Sequence, residues 1–148
     1  MTDEDLTYKL ITGEVVKNHL GTFYFSEPGN WMQSNGHPEW CKLHREDGPA
    51  LEWFDRSKRW YLNGKLHRED GPAIELFNGT KEWYLNGKLH REDGPAIEVV
   101  DGSKYWYLNG KLHRKDGPAV QEANGSKRWW LNGKLLTEEE FTQQMKSK

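Results

Sequence analysis

Apolar and polar residues alternate with a period of two along most of this chain, in short runs that stop at turn residues. Arg59-Trp60-Tyr61-Leu62 ends at Asn63-Gly64, and Ala73-Ile74-Glu75-Leu76-Phe77 ends at Asn78-Gly79. Such runs predict strands. Asn-Gly predicts a tight hairpin, because a type I′ turn needs positive φ at both central residues. The second turn returns as Asp101-Gly102 and Asn124-Gly125, but Asp55-Arg56 puts an arginine where the others have glycine, which predicts strain if the turn is kept. Pro72 has no N–H for a ladder and belongs at a strand start, with Gly71 closing the loop before it.

These runs recur. WYLNGKLHREDGPA over 60–73 returns almost unchanged at 83–96 and 106–119. Blocks of 23 residues cover 44–66, 67–89, 90–112 and 113–135, with 13 positions identical in all four. A fixed period marks a repeat array, whose units bury their apolar faces only against neighbours. The expectation is a mostly β fold: one elongated, twisted antiparallel sheet of tandem hairpins, forming one domain. Residues 42–135 are the tandem repeats. Residues 1–41 are an N-terminal β cap and a degenerate first repeat. There, Leu6, Tyr8 and Leu10 alternate with polar residues, as do Phe23 and Phe25, with turns at Thr12-Gly13 and Leu20-Gly21. Trp31 and Asn35-Gly36 echo the repeat within the Pro/Gly/Asn-rich stretch that follows. Residues 136–148 are a C-terminal cap. Thr137 with Glu140 makes a capping box, Glu138 to Glu140 suit a first turn, and Phe141 and Met145 share one face of a short helix over about 137–146. That face is expected to cover the open edge after Leu131.

The alternation also sorts faces. Trp60 and Leu62 recur in every copy and are expected on the packed face. Between them runs a second aromatic row, Tyr61, Tyr84, Tyr107 and Trp130, expected on the opposite face. The position before the tryptophan varies as Arg59, Glu82, Tyr105 and Arg128 and reads as solvent-exposed.

Composition narrows the class. Only 34% of residues are hydrophobic but 13% are aromatic, with eight Trp, which suits a thin structure that buries rings. Basic and acidic residues nearly balance, 21 against 23, and the charge is spread as −3 over 1–43, +2 over 44–135 and −1 over 136–148. A dedicated nucleic-acid or anionic-membrane binder carries a stronger basic excess. A single cysteine, Cys41, excludes an intrachain disulfide framework and fits a reducing compartment. The acidic start MTDEDLTYKL is unlike a signal peptide, and no apolar run reaches the ~20 residues of a membrane helix. A soluble cytoplasmic protein is expected.

Three constellations recur with the period. His44, His67, His90 and His113 stand with Asp47, Asp70, Asp93 and Asp116. Imidazole and carboxylate both ligate divalent metals, but equivalent loops in stacked hairpins lie ~10 Å apart, too far for one ion to bridge two copies. The structural reading, in which Asp accepts backbone N–H groups and His bonds a neighbouring loop, is preferred, and neither metal nor cofactor is expected. Arg45, Arg68, Arg91 and Arg114 form a ladder that suits either phosphates or ion pairs between repeats, the adjacent acids favouring ion pairs. The Tyr/Trp row suits base stacking, a peptide groove or packing between strands. For catalysis there is no G-x-S-x-G and no P-loop, and Cys41 near His37 and His44 is a weak nucleophile candidate. One loop repeated four times is a poor way to build a single active site.

The letters Trp60, Asn63-Gly64-Lys65, His67, Gly71 and Asn78-Gly79-Thr80, with their equivalents, resemble the MORN repeat over roughly 42–135. The family's G-E-W strand is replaced here by W-Y-L and its H-G-x-G loop by H-R-E-D-G-P. The H-R-E-D-G-P-A form is similar to short repeat proteins of bacteriophages and large DNA viruses. The resemblance implies successive hairpins in one sheet, no catalytic residues and a role in protein contacts. The expectation is a non-enzymatic binding module for a protein partner, a host protein if the chain is phage-encoded, with inhibition of a defence protein as the analogy. The alternative is a nucleotide or nucleic-acid binder using the Arg and aromatic rows. A partner needs differences along the array, so the expected contact residues are Trp53, Arg59, Glu82, Tyr105 and Arg128, with Tyr61, Tyr84, Tyr107 and Trp130.

Overall fold

The computed structural model describes residues 15–18, 21–24 and 43–146. The expectations at Leu6, Tyr8, Leu10, Thr12-Gly13, Phe25, Trp31, Asn35-Gly36, His37 and Cys41 lie outside the described residues.

The first described strands are β1 (Val15–Asn18) and β2 (Gly21–Tyr24), an antiparallel pair. The first full block contributes β3 (Leu51–Trp53), β4 (Lys58–Arg59), β5 (Tyr61–Leu62) and β6 (Lys65–Leu66). The second contributes β7 (Ile74–Glu75), β8 (Lys81–Glu82), β9 (Tyr84–Leu85) and β10 (Lys88–Leu89). The third contributes β11 (Ile97–Glu98), β12 (Lys104–Tyr105), β13 (Tyr107–Leu108) and β14 (Lys111–Leu112). The fourth gives β15 (Val120–Gln121), a longer β16 (Lys127–Leu131) and β17 (Lys134–Leu136), before α1 (Glu138–Lys146).

Eleven of these strands form one antiparallel sheet in the order β1-β2-β3-β4-β7-β8-β11-β12-β15-β16-β17. The expected single line of hairpins is therefore the main body, with a refinement. In the first three blocks the ladder breaks at Trp60, Trp83 and Trp106, and β5–β6, β9–β10 and β13–β14 form separate two-stranded hairpins. Backbone bonds join these side hairpins to one another: Arg68 N donates to Tyr84 O (3.1 Å) and Gly87 N to Leu66 O (2.8 Å), and the pattern repeats along the array.

The two turns of each block differ in kind. At Asn63-Gly64 both residues have positive φ, 52° and 77°, as they do in the other three copies, so these are type I′ turns. The other turn is a three-residue loop with only its last residue left-handed: Gly79 (92°), Gly102 (94°) and Gly125 (88°). Arg56 holds that place in the first block at φ 72°, closed by the same bonds, Arg56 N to Trp53 O (3.0 Å) and Trp53 N to Ser57 O (2.9 Å).

The interior is small. Ala50, Ala73, Ala96 and Ala119 are wholly buried, beside Leu51, Ile74 and Val120. The rings of Trp60, Trp83 and Trp106 are only half-buried, which corrects the expectation of a structure that buries its tryptophans. Among the described residues the sheet has no second layer and so no depth in which to hide an indole, and alanines and single aliphatic side chains make up the dry part. Buried hydroxyls tie consecutive blocks along one rim: Ser57 Oγ accepts Phe77 N–H (3.0 Å), Thr80 Oγ1 accepts Val100 N–H (3.3 Å) and Ser103 Oγ accepts Ala123 N–H (3.0 Å).

The C-terminal helix forms as expected. Thr137 Oγ1 accepts Glu140 N–H (3.1 Å) while Glu140 Oε2 accepts Thr137 N–H (2.8 Å), a reciprocal capping box. α1 packs on β16 and β17 with Phe141 and Leu136 buried. The sheet runs one strand past Leu131, so β17 is its last strand and the helix lies against the final pair. No helix among the described residues is long and apolar enough to cross a membrane.

Arg56 carries the one non-glycine left-handed residue at the three-residue loops. A left-handed residue with a Cβ costs ~1–2 kcal/mol, and glycine loses ~0.5–1 kcal/mol more in chain freedom. Arg56→Gly is therefore expected to raise stability by up to about 1 kcal/mol, seen as a melting temperature ~2–4 °C higher.

Candidate functional site

Directly opposed residues in an antiparallel pair share a face, so the register assigns the two faces of the sheet. On one face Arg59 lies opposite Leu51 and Ile74, Glu82 opposite Ile74 and Ile97, Tyr105 opposite Ile97 and Val120, and Arg128 opposite Val120. The other face carries Glu52, Lys58, Glu75, Lys81, Glu98, Lys104, Gln121 and Lys127, each opposite the next.

The second face holds the invariant chemistry of the H-R-E-D-G-P loop. Arg68 lies 4.0 Å from the centre of the Trp60 ring, as Arg91 lies from Trp83 and Arg114 from Trp106. One edge of the guanidinium is then engaged: Arg68 Nε donates to Asp70 Oδ1 (2.9 Å), and Nη1 to Pro72 O (3.2 Å) and Glu75 Oε1 (3.2 Å). A Cβ on Gly71 would stand 2.9 Å from Arg68 Cζ. The glycine is there for that close approach, and the loop closure expected of it is secondary. Two expectations are corrected. Asp70 is bonded by its own loop's arginine, and the arginine pairs within its block, not between repeats. The reason is reach: a side chain folded flat on an indole presents its edge to the loop that carries it. The pair with the exposed carboxylate adds little; the stack adds ~0.5–2 kcal/mol per copy.

The Arg68 side chain also holds Asp70 below the usual carboxylate range, chiefly by its hydrogen bond and then by its charge, and Asp47, Asp93 and Asp116 are lowered in the same way by Arg45, Arg91 and Arg114. A lowered carboxyl stabilises the fold at neutral pH and loses that contribution only as the pH falls below the usual aspartate range.

The histidines stitch neighbouring hairpins, as expected. His44, His67, His90 and His113 Nδ1 accept the N–H of Asn63 (3.0 Å), Asn86 (3.1 Å), Asn109 (3.1 Å) and Asn132 (3.0 Å). A nitrogen that accepts bears no proton, so the neutral ring carries it on Nε2. Glu46, Glu69 and Glu92 stand 3.6–3.8 Å from that atom in three copies. In the fourth, Lys115 replaces the glutamate, and His113 Nε2 is buried without a hydrogen-bond partner. Among the described residues no cluster of three His, Cys, Asp or Glu side chains is placed to hold a metal.

The first face gathers every expected contact residue. Trp53 lies under Arg59, whose guanidinium is 4.7 Å from the ring centre. Tyr84 Oη donates to Glu82 Oε2 (3.0 Å), placing the Tyr61/Tyr84/Tyr107/Trp130 row beside the variable row. Arg128 pairs with Glu122 at the far end. The expected exposure of the variable row is corrected: Arg59, Glu82 and Tyr105 are half-buried, and Arg128 alone is exposed. They crowd one another because the aromatic row lies on their own face. Arg59 Nε and Trp130 Nε1 are buried there without acceptors. Phe54, Phe77 and Val100, 71%, 72% and 62% exposed, were not singled out from the sequence. Their signal was an apolar residue at the first loop position of three successive blocks.

No family model matches the chain, and neither a curated protein nor a solved structure does.

Two outcomes follow from this geometry. Trp83→Ala removes a half-buried ring and the stack on Arg91, and is expected to cost about 2–3 kcal/mol, short of the 3–5 of a fully buried ring, measured by urea unfolding. Burial first, then the Glu82 charge and hydrogen bond, push the Tyr84 hydroxyl up to about 12. A raised phenol stabilises the fold fully below the ordinary tyrosine value and loses that contribution as pH rises through about 12. In an alkaline absorbance titration Tyr84 is expected to ionise late, and Glu82→Gln to bring it down.

Proposed function

We propose that this chain is a non-catalytic β-repeat module that holds a protein partner against the face bearing Trp53, Arg59, Glu82, Tyr105 and Arg128, flanked by Tyr61, Tyr84, Tyr107 and Trp130. The observation that carries this reading is a contrast between the faces. The H-R-E-D-G-P face repeats the same arginine–aspartate pair in each block, with one edge of each guanidinium already occupied. The other face changes from block to block, from Trp and Arg through Glu and Tyr to Arg and Trp. Identical positions serve stacking, whereas recognition of one partner needs an address that varies. Trp, Tyr and Arg are also the types enriched at interface hot spots.

The resemblance of the H-R-E-D-G-P-A block to MORN-like repeats of phages and large viruses supports a cytoplasmic partner in a host cell, with a host defence protein as the target to try first. The nucleic-acid alternative rests on the Tyr/Trp row and on arginines that are engaged elsewhere in the fold, so it is the weaker reading. Salt separates the two, because a phosphate-driven complex weakens steeply with ionic strength.

The test begins with a photo-crosslinker at Tyr105, which identifies the partner in host lysate, followed by affinity measurements on that partner. Trp53→Ala and Arg59→Ala are each expected to weaken binding by about 1–3 kcal/mol with the fold retained. Because the two side chains stack, the double variant is expected to lose less than the sum. Unchanged affinity in both single variants would overturn the reading.

A further inference from the structure

The loop rim of the sheet carries a feature that the partner face does not explain. Phe54, Phe77 and Val100 occupy the first position of three consecutive three-residue loops and are 71%, 72% and 62% exposed. The fourth loop has Ala123 at that place. Phe77, Val100 and Ala123 make the same backbone bond to the preceding block, to Ser57, Thr80 and Ser103. The loop is therefore built equally well with a methyl group there. The two phenyl rings and the valine answer no structural need of the turn, and their exposure works against solubility. Scattered surface apolars are ordinary, but a row of them at one repeated position is a patch. Successive blocks add two strands, so the row steps by ~10 Å.

Beside this ridge runs a row of lysines. Lys58, Lys81, Lys104 and Lys127 open the strand that follows each loop and share the sheet face of Glu75 and Glu98. Those two carboxylates are turned to Arg68 (3.2 Å) and Arg91 (3.0 Å), and Gln121, opposite Lys104 and Lys127, carries no charge. None of the four lysines makes an ion pair with a described residue. Arg56 adds a further cation to the rim, against the carboxylates of Asp55, Asp101 and Glu52. The rim is thus an apolar ridge with a net cationic flank.

We propose that this rim seats an acidic amphipathic helix of a protein partner, with apolar side chains one heptad apart on Phe54, Phe77 and Val100 and carboxylates over the lysine row. Seven residues of helix advance ~10.5 Å, which matches the step of the ridge, and its three anchors span two heptads. An extended strand presents same-face side chains every ~6.6–6.8 Å and falls out of step after one block. The lysines select the sign of the flanking charges, and Ala123 marks the end of the seat. This site is separate from the partner face above and does not depend on it.

The test uses three probes with the full chain: a synthetic alanine-rich helix with leucines one heptad apart flanked by glutamates, its twin with lysines for the glutamates, and vesicles of mixed phosphatidylserine and phosphatidylcholine. The acidic helix is expected to bind in a fluorescence anisotropy titration. Phe77→Ser and Lys104→Glu should each weaken it about tenfold or more, the scale of one buried aromatic or one reversed charge. Ala123→Phe, which lengthens the ridge, should tighten it. Melting of each variant reports on the fold, and the shared loop geometry at Ala123 predicts little change. Equal binding of the basic twin, acidic-helix affinity indifferent to Phe77→Ser, or binding of the chain to vesicles but not to the acidic helix would each overturn the proposal.

Discussion

The guanidinium laid flat on an indole is the contact on which each block depends. Trp60 sits at the break between the long sheet and its side hairpin, and a one-layer sheet leaves half of that ring uncovered. Arg68 lies on it at 4.0 Å and bonds Asp70, Pro72 O and Glu75 through Nε and Nη1. Much else in the loop follows. Position 71 must be glycine-sized because the guanidinium lies beneath it. Pro72 offers its carbonyl and needs no N–H. The aspartate two residues on keeps the arginine edge in plane, since Arg–carboxylate bonds are directional. Repeated down the chain, the contact gives a thin protein the interlocking that a second layer of secondary structure would normally provide.

Two lines of side-chain acceptors supplement the strand ladder, one on each border of the array. Along the loop rim the acceptors are Ser57, Thr80 and Ser103; along the side hairpins they are the histidines. Both kinds satisfy a backbone N–H that the short ladders leave over. The last block shows what happens when no successor exists. Leu136 replaces the histidine, Thr137 replaces the arginine, and both are reassigned to a buried contact and a helix cap. The array therefore ends by changing the residue that would reach forward, which avoids leaving an unfilled histidine acceptor after the last hairpin.

A division of labour between the faces results. Positions bound into the Arg/Trp/Asp network and the histidine stitches repeat because every junction needs the same fit. Positions outside those networks are free to differ, and they cluster: Trp53, Arg59, Glu82 and Tyr105 on one face, Phe54, Phe77 and Val100 along the rim. The variable face and the rim thus offer two exposed or half-exposed surfaces of different chemistry on one scaffold.

Strands, the Asn63-Gly64 type I′ turn, the strained Arg56, the period and the capping helix were legible in the sequence, because each is decided within a few residues by φ preference, alternation or a side-chain cap; the three-residue loop at Phe77-Asn78-Gly79 was not, because Asn-Gly there suits a two-residue turn equally well. The histidine stitch was legible too, since a residue repeating once per block with no chemistry of its own points to a neighbouring loop. The break at Trp60, the stack of Arg68 on it and the reason for Gly71 were not. They depend on where the chain returns in space after the seven residues between Trp60 and Arg68, and alternation carries no such information. For the same reason the variable row was read as exposed. Period two places Arg59 and Tyr61 on one side, but the crowding of that side is set by the aliphatic row from other strands and by the register that brings it there. The sequence by itself determined the unit, its count and its ends; only the tertiary structure decided which rows meet, because contacts between rows arise from the pairing of blocks and not from any block alone.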